Sequence, residues 1–290
     1  MIKDLPAASG PATGRLRLTP ARRVILAVGV PVAIALIGGL AFSLVTAVGQ
    51  GSYPVNYAIP VSGGRVTMNF GGGDLTLRGT DSGAARLTGT VDYSLVRPHL
   101  SLADPGGRGA VFTFTCGIST GNCALNGTAD VPSGTSATVS TGGGDLTASD
   151  LTGGVSLSSG GGNLAATHIA GHASLQTGGG DLTAAQLTGD ADLGTGGGNI
   201  TATSIGSPRV TADSGGGDIE IVFTRVPQDV QVSADGGDVT IVVPSGHTAY
   251  HVTANPDGGN LNDGVPQATS SSHVITASSG GGDITIEQST

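Results

Sequence analysis

The chain has no Trp, only four Tyr and five Phe in 290 residues, a single lysine at Lys3, and two cysteines. So little aromatic bulk excludes a large conventional globular core. Two cysteines without further Cys or His beside them cannot complete a zinc site, and Cys116 and Cys123 do not have the C-x-x-C spacing of redox proteins. Positive charge is missing from most of the chain: residues 24–290 hold seven arginines and twenty acids, a net −13. Such an acidic exterior excludes nucleic acid as a partner, because phosphates need basic contacts. Glycine, by contrast, occurs 52 times. With Ser and Thr this density would suit disorder, but Leu, Ile and Val keep a fixed register that a random coil has no reason to keep.

That register comes from a repeat. Nine times a glycine run delivers an Asp or Asn followed at once by an aliphatic residue, at Asp74, Asp145, Asn163, Asp181, Asn199, Asp218, Asp238, Asn260 and Asp283. From Asp145 onward the intervals are 18, 18, 18, 19, 20, 22 and 23 residues. A period near 20 marks a solenoid, whose units bury their apolar sides only against their neighbours. One residue after the acid or amide, every copy has Leu, Ile or Val, and two further on most have Ala, Leu or Ile. Apolar residues also stand six and eight positions before it, and in the 18-residue units Leu151, Ile169, Leu187 and Ile205 add a third apolar position. This in–out–in alternation reads as two short half-buried strands joined by the glycine turn. A helical repeat is excluded, since glycine triplets oppose helix and β-branched residues dominate the rest. The expected fold is all-β: a parallel β-helix with rungs of about 18–23 residues, preceded by one transmembrane helix.

The Asp and Asn suit turn chemistry, since glycine supplies positive φ and Asx side chains bond nearby backbone. In stacked rungs these positions form a ladder along one corner. The alternation Asp145, Asn163, Asp181, Asn199 separates carboxylates that would otherwise sit ~5 Å apart, and each Asn amide is placed to donate to a flanking carboxylate. Calcium is the rival reading, because β-rolls bind it through G-G-x-G-x-D repeats. Here the motif is G-G-G-D, once per rung, so no cofactor is expected.

Residues 1–23 carry +4 and precede Val24 to Gly49, 26 residues without a charge. That length crosses a ~30 Å hydrocarbon core as a helix. The basic flank predicts a cytoplasmic tail at 1–23, a span at 24–49, and the rest outside the cytoplasmic membrane. A cleaved signal peptide ending near Val45-Thr46-Ala47 is the alternative, and it exports the domain equally. Residues 50–60 read as a linker, 61–136 as a less regular β region, and 137–290 as the β-helix. In an oxidising compartment Cys116 and Cys123 read as a small-loop disulfide.

Other constellations are weaker. His168 and His172, and His247 and His251, share an H-x-x-x-H spacing, but on a strand they stand about 13 Å apart, too far for one metal unless a corner intervenes. There is no G-x-S-x-G elbow. Asn126-Gly-Thr128 and Asn199-Ile-Thr201 match the glycosylation sequon and carry little weight.

The basic tail and apolar span, the Cys pair, and the run VPSGTSATVSTGGGDLTASDLTGGVSLSSGGGNL together resemble a bacterial group, the "putative adhesin" β-strand-repeat family of unknown function. The resemblance covers roughly residues 60–290 and is most specific in V-P-x-G, T-G-G-G-D-L-T and L-T-G-x-V. It implies a parallel β-helix outside the cytoplasmic membrane and no catalytic residues. Relatives often have Gly-Ser-Gly where this chain has three glycines. The expected function is a non-enzymatic, membrane-anchored scaffold at the cell surface, with a cell-wall glycan or envelope protein as partner. The alternatives are a carbohydrate-active β-helix enzyme, which needs carboxylates or Arg gathered on one face (Asp213, Glu220, Arg209 and Arg225 are the candidates), and an envelope-stress sensor signalling through the tail.

Overall fold

A computed structural model describes residues 50–290 except 95, 105, 106, 108 and 118–122. The predicted tail, membrane span and signal-peptide site lie outside the described residues. Among the described residues no helix is long and apolar enough to cross a membrane.

Each repeat folds as two strands about its glycine turn, as in Val155–Ser159 before Gly160 and Leu164–Ile169 after Asn163. Strands that precede the turns belong to an 11-stranded sheet, here the leading sheet; those that follow belong to a 12-stranded trailing sheet. In the leading sheet Val139, Leu157, Leu175, Leu193, Ala212 and Val232 lie side by side in parallel register. Leu146, Leu164, Leu182, Ile200, Ile219 and Val239 do the same in the trailing sheet. Both columns are buried, so the core is a thin aliphatic stack between the sheets. Leu151, Ile169, Leu187 and Ile205 are buried too. Each follows a non-glycine residue at positive φ (Asp150, His168, Gln186 and Ser204, at 54° to 60°), which turns the chain off the trailing sheet.

Stacking order departs from chain order at both ends. The rung formed by Arg65–Phe70 and Leu75–Thr80 lies between that of Ala110–Thr115 with Cys123–Pro132 and that of Ser136–Thr141 with Leu146–Leu151. Residues 61–136 therefore hold two true rungs. At the far end, Val274–Ser279 with Ile284–Gln288 slots between Asp229–Ala234 with Val239–Val243 and the outermost rung, His251–Pro256 with Leu261–Asp263. The C-terminal strand is thus an inner strand, paired on both sides. Asp263 can replace the usual aliphatic residue because, among the described residues, its rung has a neighbour on one side only. The long last intervals carry the chain past one rung and back, and the returning loop covers Tyr250 and Val265.

The N-terminal end is antiparallel. Residues 50–60 are not a linker: Gln50–Ile59 pairs with Ala85–Ser94, which pairs in turn with Cys123–Pro132. Pro54 disguises this strand in the sequence, yet an edge strand tolerates it because, among the described residues, no further strand needs its N–H. His99–Ala103 closes the leading sheet against Ala110–Thr115 in the same antiparallel sense.

Candidate functional site

At the corner after the glycines, each Asx backbone N–H donates to the Oδ1 of the Asx one rung away. The distances are 2.8 Å for Asp145 to Asp74, 2.7 Å for Asn163 to Asp145, 2.9 Å for Asp181 to Asn163 and 2.8 Å for Asn199 to Asp181. The column continues through Asp218 and Asp238 at 2.9 Å each, Asp283 at 2.8 Å and finally Asn260 at 2.7 Å. It begins one rung earlier than the glycine motif indicates, since Asp74 N–H donates to Asn126 Oδ1 at 2.9 Å. Asn126 thus holds the tenth position, in the rung whose turn carries the disulfide. Its disguise is physical: Gly127 stands where an aliphatic residue is expected because Thr88 passes close by, and a Cβ there would lie 2.5 Å from the Thr88 carbonyl oxygen. The Asn-x-Thr-Ala order shared with Asn199 was the available signal.

The alternation of Asp and Asn needs a different reason from amide donation. Among the described residues a side-chain amide donates along this column only at its end, from Asn260 Nδ2 to Asp283 Oδ1 at 3.1 Å. What every position needs is one side-chain oxygen, which both residues possess. Asp181→Asn should therefore leave stability unchanged, while Asp181→Ala should cost about 1 kcal/mol by orphaning a backbone N–H. Because backbone N–H groups already occupy one oxygen of each internal carboxylate, the thermal melt should be the same in EDTA and in millimolar calcium. A calcium-dependent rise would overturn this account.

A second, buried column runs behind the first. The hydroxyls of Ser159, Thr177, Thr195, Ser214 and Ser279 donate to the carbonyl of the third glycine one rung away, at 2.7–2.9 Å. The same oxygens accept the N–H of their own turn's third glycine at 2.8–3.3 Å. These hydroxyls satisfy turn backbone that would otherwise be buried without partners. In the sequence this column shows as a small hydroxyl residue four positions before the Asx in most rungs.

The outer faces are polar. The trailing sheet presents Thr76, Thr147, Thr183, Thr201, Thr240 and Thr285 in one column, each between inward-facing aliphatic residues. The candidate catalytic groups do not gather there. Asp213 lies on the outer face of the leading sheet, whereas Glu220 lies on the outer face of the trailing sheet. Arg209 pairs with Asp190 at 3.2 Å, and Arg225 lies in the turn after Phe223. Burial, with the carboxylates of Asp192 and Asp235, holds the Asp213 carboxyl above its ordinary value. The H-x-x-x-H pair at 168 and 172 is split between two carboxylates, His168 on Asp150 at 3.5 Å and His172 on Asp192 at 3.4 Å. Cys116 and Cys123 form the expected disulfide.

An open cleft of about 730 Å³ lies at the N-terminal end, bordered by Ser52, Asp92, Tyr93, Ser94 and Asn126. At the opposite end Tyr250 is fully buried and its hydroxyl has no hydrogen-bond partner among the described residues. Burial raises its phenol above the ordinary 10.0. A folded value above the unfolded one means that this group's contribution is complete below pH 10 and is lost as pH climbs through the folded value. Tyr250→Phe should remove that part of the alkaline loss and, at neutral pH, match or exceed wild-type stability by up to about 1 kcal/mol. A fall in stability on this substitution would show that the hydroxyl has a partner.

No curated protein matches the chain. Among solved structures it is similar to a "putative cell adhesion protein" from Clostridium sporogenes, at 13% identity over 82% of this chain and 100% of that one, with a TM-score of 0.28. It is also similar to a "putative adhesin" from Bacteroides fragilis, at 15% identity over 82% and 97% of the two chains and a TM-score of 0.47. A third, a "putative adhesin" from Parabacteroides merdae, shares 12% identity over 82% and 96%, again with a TM-score of 0.47. The family model for the Toastrack domain DUF4097 matches residues 122–289, more than half of the chain and most of its stacked rungs, and the chain belongs to that family of unknown function.

Proposed function

We propose that the protein is a non-enzymatic scaffold of the bacterial cell envelope, anchored through residues 24–49 and presenting its β-solenoid outside the cytoplasmic membrane. The carrying observation is the division of labour in each rung. Inward positions build the aliphatic core, the corner Asx and buried hydroxyls are used on backbone, and only the outer columns of Thr, Ser and Asp remain for contacts. Such flat polar columns suit side-chain hydrogen bonds to a cell-wall glycan or to another envelope protein. Arg209 and Asp213 lie on the leading sheet, Glu220 on the trailing sheet and Arg225 in a turn, and this separation favours binding over catalysis. The disulfide fits an oxidising compartment.

Topology is tested on intact cells whose outer barriers are permeable to protease, using the full chain with a different tag at each end. The C-terminal tag should be removed and the N-terminal tag retained. A protected C-terminal tag would defeat the export reading. Cosedimentation of the full chain with purified cell-wall glycan then distinguishes glycan from protein as the class of partner.

A further inference from the structure

The solenoid is polar along its length in both charge and aromatic content. Residues 50–134, which build the N-terminal end, hold five arginines and five acids, a net charge of zero. Residues 135–290 hold two arginines and fifteen acids, a net −13. Of the eight aromatic residues between 50 and 290, six (Tyr53, Tyr57, Phe70, Tyr93, Phe112 and Phe114) belong to the N-terminal end.

The end itself is an unfinished core. Gln50–Ile59 is the last strand of the trailing sheet and His99–Ala103 the last of the leading sheet. Tyr57 packs on Phe112 at 6.1 Å between ring centres, and Leu102 lies opposite Phe112 in the antiparallel pair. Among the described residues no further rung covers them, and Tyr57 remains 38% and Leu102 36% exposed. Beside them Arg97 sits over Tyr53 at 5.9 Å and donates to the Tyr93 hydroxyl at 3.1 Å, while Val96 is 50% exposed. The 26 uncharged residues 24–49 run directly into this edge strand at Gln50.

We propose that this end is a foot that rests on the phospholipid surface, with Tyr57, Leu102, Val96 and Arg97 entering the headgroup layer and the acidic rungs directed away. The inference rests on the anchoring reading above and adds to it an interface made by the folded domain. Tyrosines with one apolar and one polar side suit the headgroup level, and arginine reaches phosphate while its stem stays apolar. The acidic body does not oppose this contact. Its nearest strands, Ser136–Thr141 and Leu146–Leu151, are three and four strand spacings from the two edges, at least about 14 Å. That exceeds a screening length of roughly 8–10 Å at physiological salt.

The test uses the full chain reconstituted in vesicles of phosphatidylcholine with phosphatidylglycerol. Both native cysteines are in the disulfide, so one added cysteine takes a polarity-sensitive fluorophore at position 57, 96 or 102, or at 261 on the far rung. Flotation of each labelled chain with the vesicles is measured first. Tyr57→Cys, Val96→Cys and Leu102→Cys labels should then be blue-shifted and quenched several-fold more by headgroup-level spin-labelled lipid than the Leu261→Cys label. Flotation with equal quenching at both ends would overturn the foot and leave the anchor standing; failure to float would overturn both. Val96 is exposed, so its variant guards against misfolding at the packed Tyr57.

Discussion

Gly180→Ala should lower the stability of the solenoid by about 3 kcal/mol, whereas its neighbour Gly179→Ala should leave it unchanged or raise it by up to about 1 kcal/mol. The two glycines are adjacent in one turn, and the difference comes from the rung beside them. A Cβ on Gly180 would lie 2.2 Å from the carbonyl oxygen of Gly162 and 2.8 Å from the backbone nitrogen of Asn163. Both are backbone atoms held by the two hydrogen-bond columns, so neither can give way without opening the stack. A Cβ on Gly179 meets nothing within 4 Å. The third glycine repeats this conflict at Gly162, Gly198 and Gly217, with contacts of 2.0–2.2 Å. Glycine is needed there for close approach of stacked backbone, and positive φ accompanies the third-glycine position only at Gly73 and Gly144. The open middle position also explains why a serine is accommodated there in the pattern this chain resembles. Urea titrations of the two variants decide the matter; equal losses would show that the turn's own conformation, and not stacking, selects glycine.

Leu175→Ala should cost about 3 kcal/mol, while Leu261→Ala should cost less than about 0.5 kcal/mol. Both leucines occupy the rung repeat, but Leu175 lies between Leu157 and Leu193 in the buried column and Leu261 stands 46% exposed on the outermost rung. Each rung is stabilised chiefly by its two neighbours. A cavity at Leu175 therefore weakens two interfaces at once, and unfolding should broaden or separate into two steps as the halves uncouple. A sharp, unshifted transition for Leu175→Ala would contradict this nearest-neighbour description.

The core was legible because a strand's side chains alternate and the repeat brings the same alternation back every 18–23 residues. Leu164 and Leu175 could be assigned inward from spacing alone. The candidate ladder was legible at nine positions for the same reason. Asn126 was not, because its neighbour is shaped by a strand, Ala85–Ser94, that approaches from a distant part of the chain. The partner of each Asx was likewise hidden: the expected donor was a side-chain amide, and the donor found is backbone from the next rung. Strand Gln50–Ile59 was not legible because it carries no glycine motif and is paired antiparallel.

What the sequence determined by itself is the rung: two alternating strands, a glycine corner with an oxygen-bearing residue, and an aliphatic interior. Periodicity is a local property, and sterics with burial translate it directly into a strand pair. The order of the rungs is another matter. Only the tertiary structure decided that the chain's last rung is spatially the penultimate one, that the Cys-bearing rung precedes the first glycine rung, and that antiparallel strands close one end. All rungs present nearly the same surface to a neighbour, so their hydrogen-bond columns accept more than one succession. The choice falls to the long connections, the close approach at Gly127 and the aromatic packing around Phe112, none of which repeats.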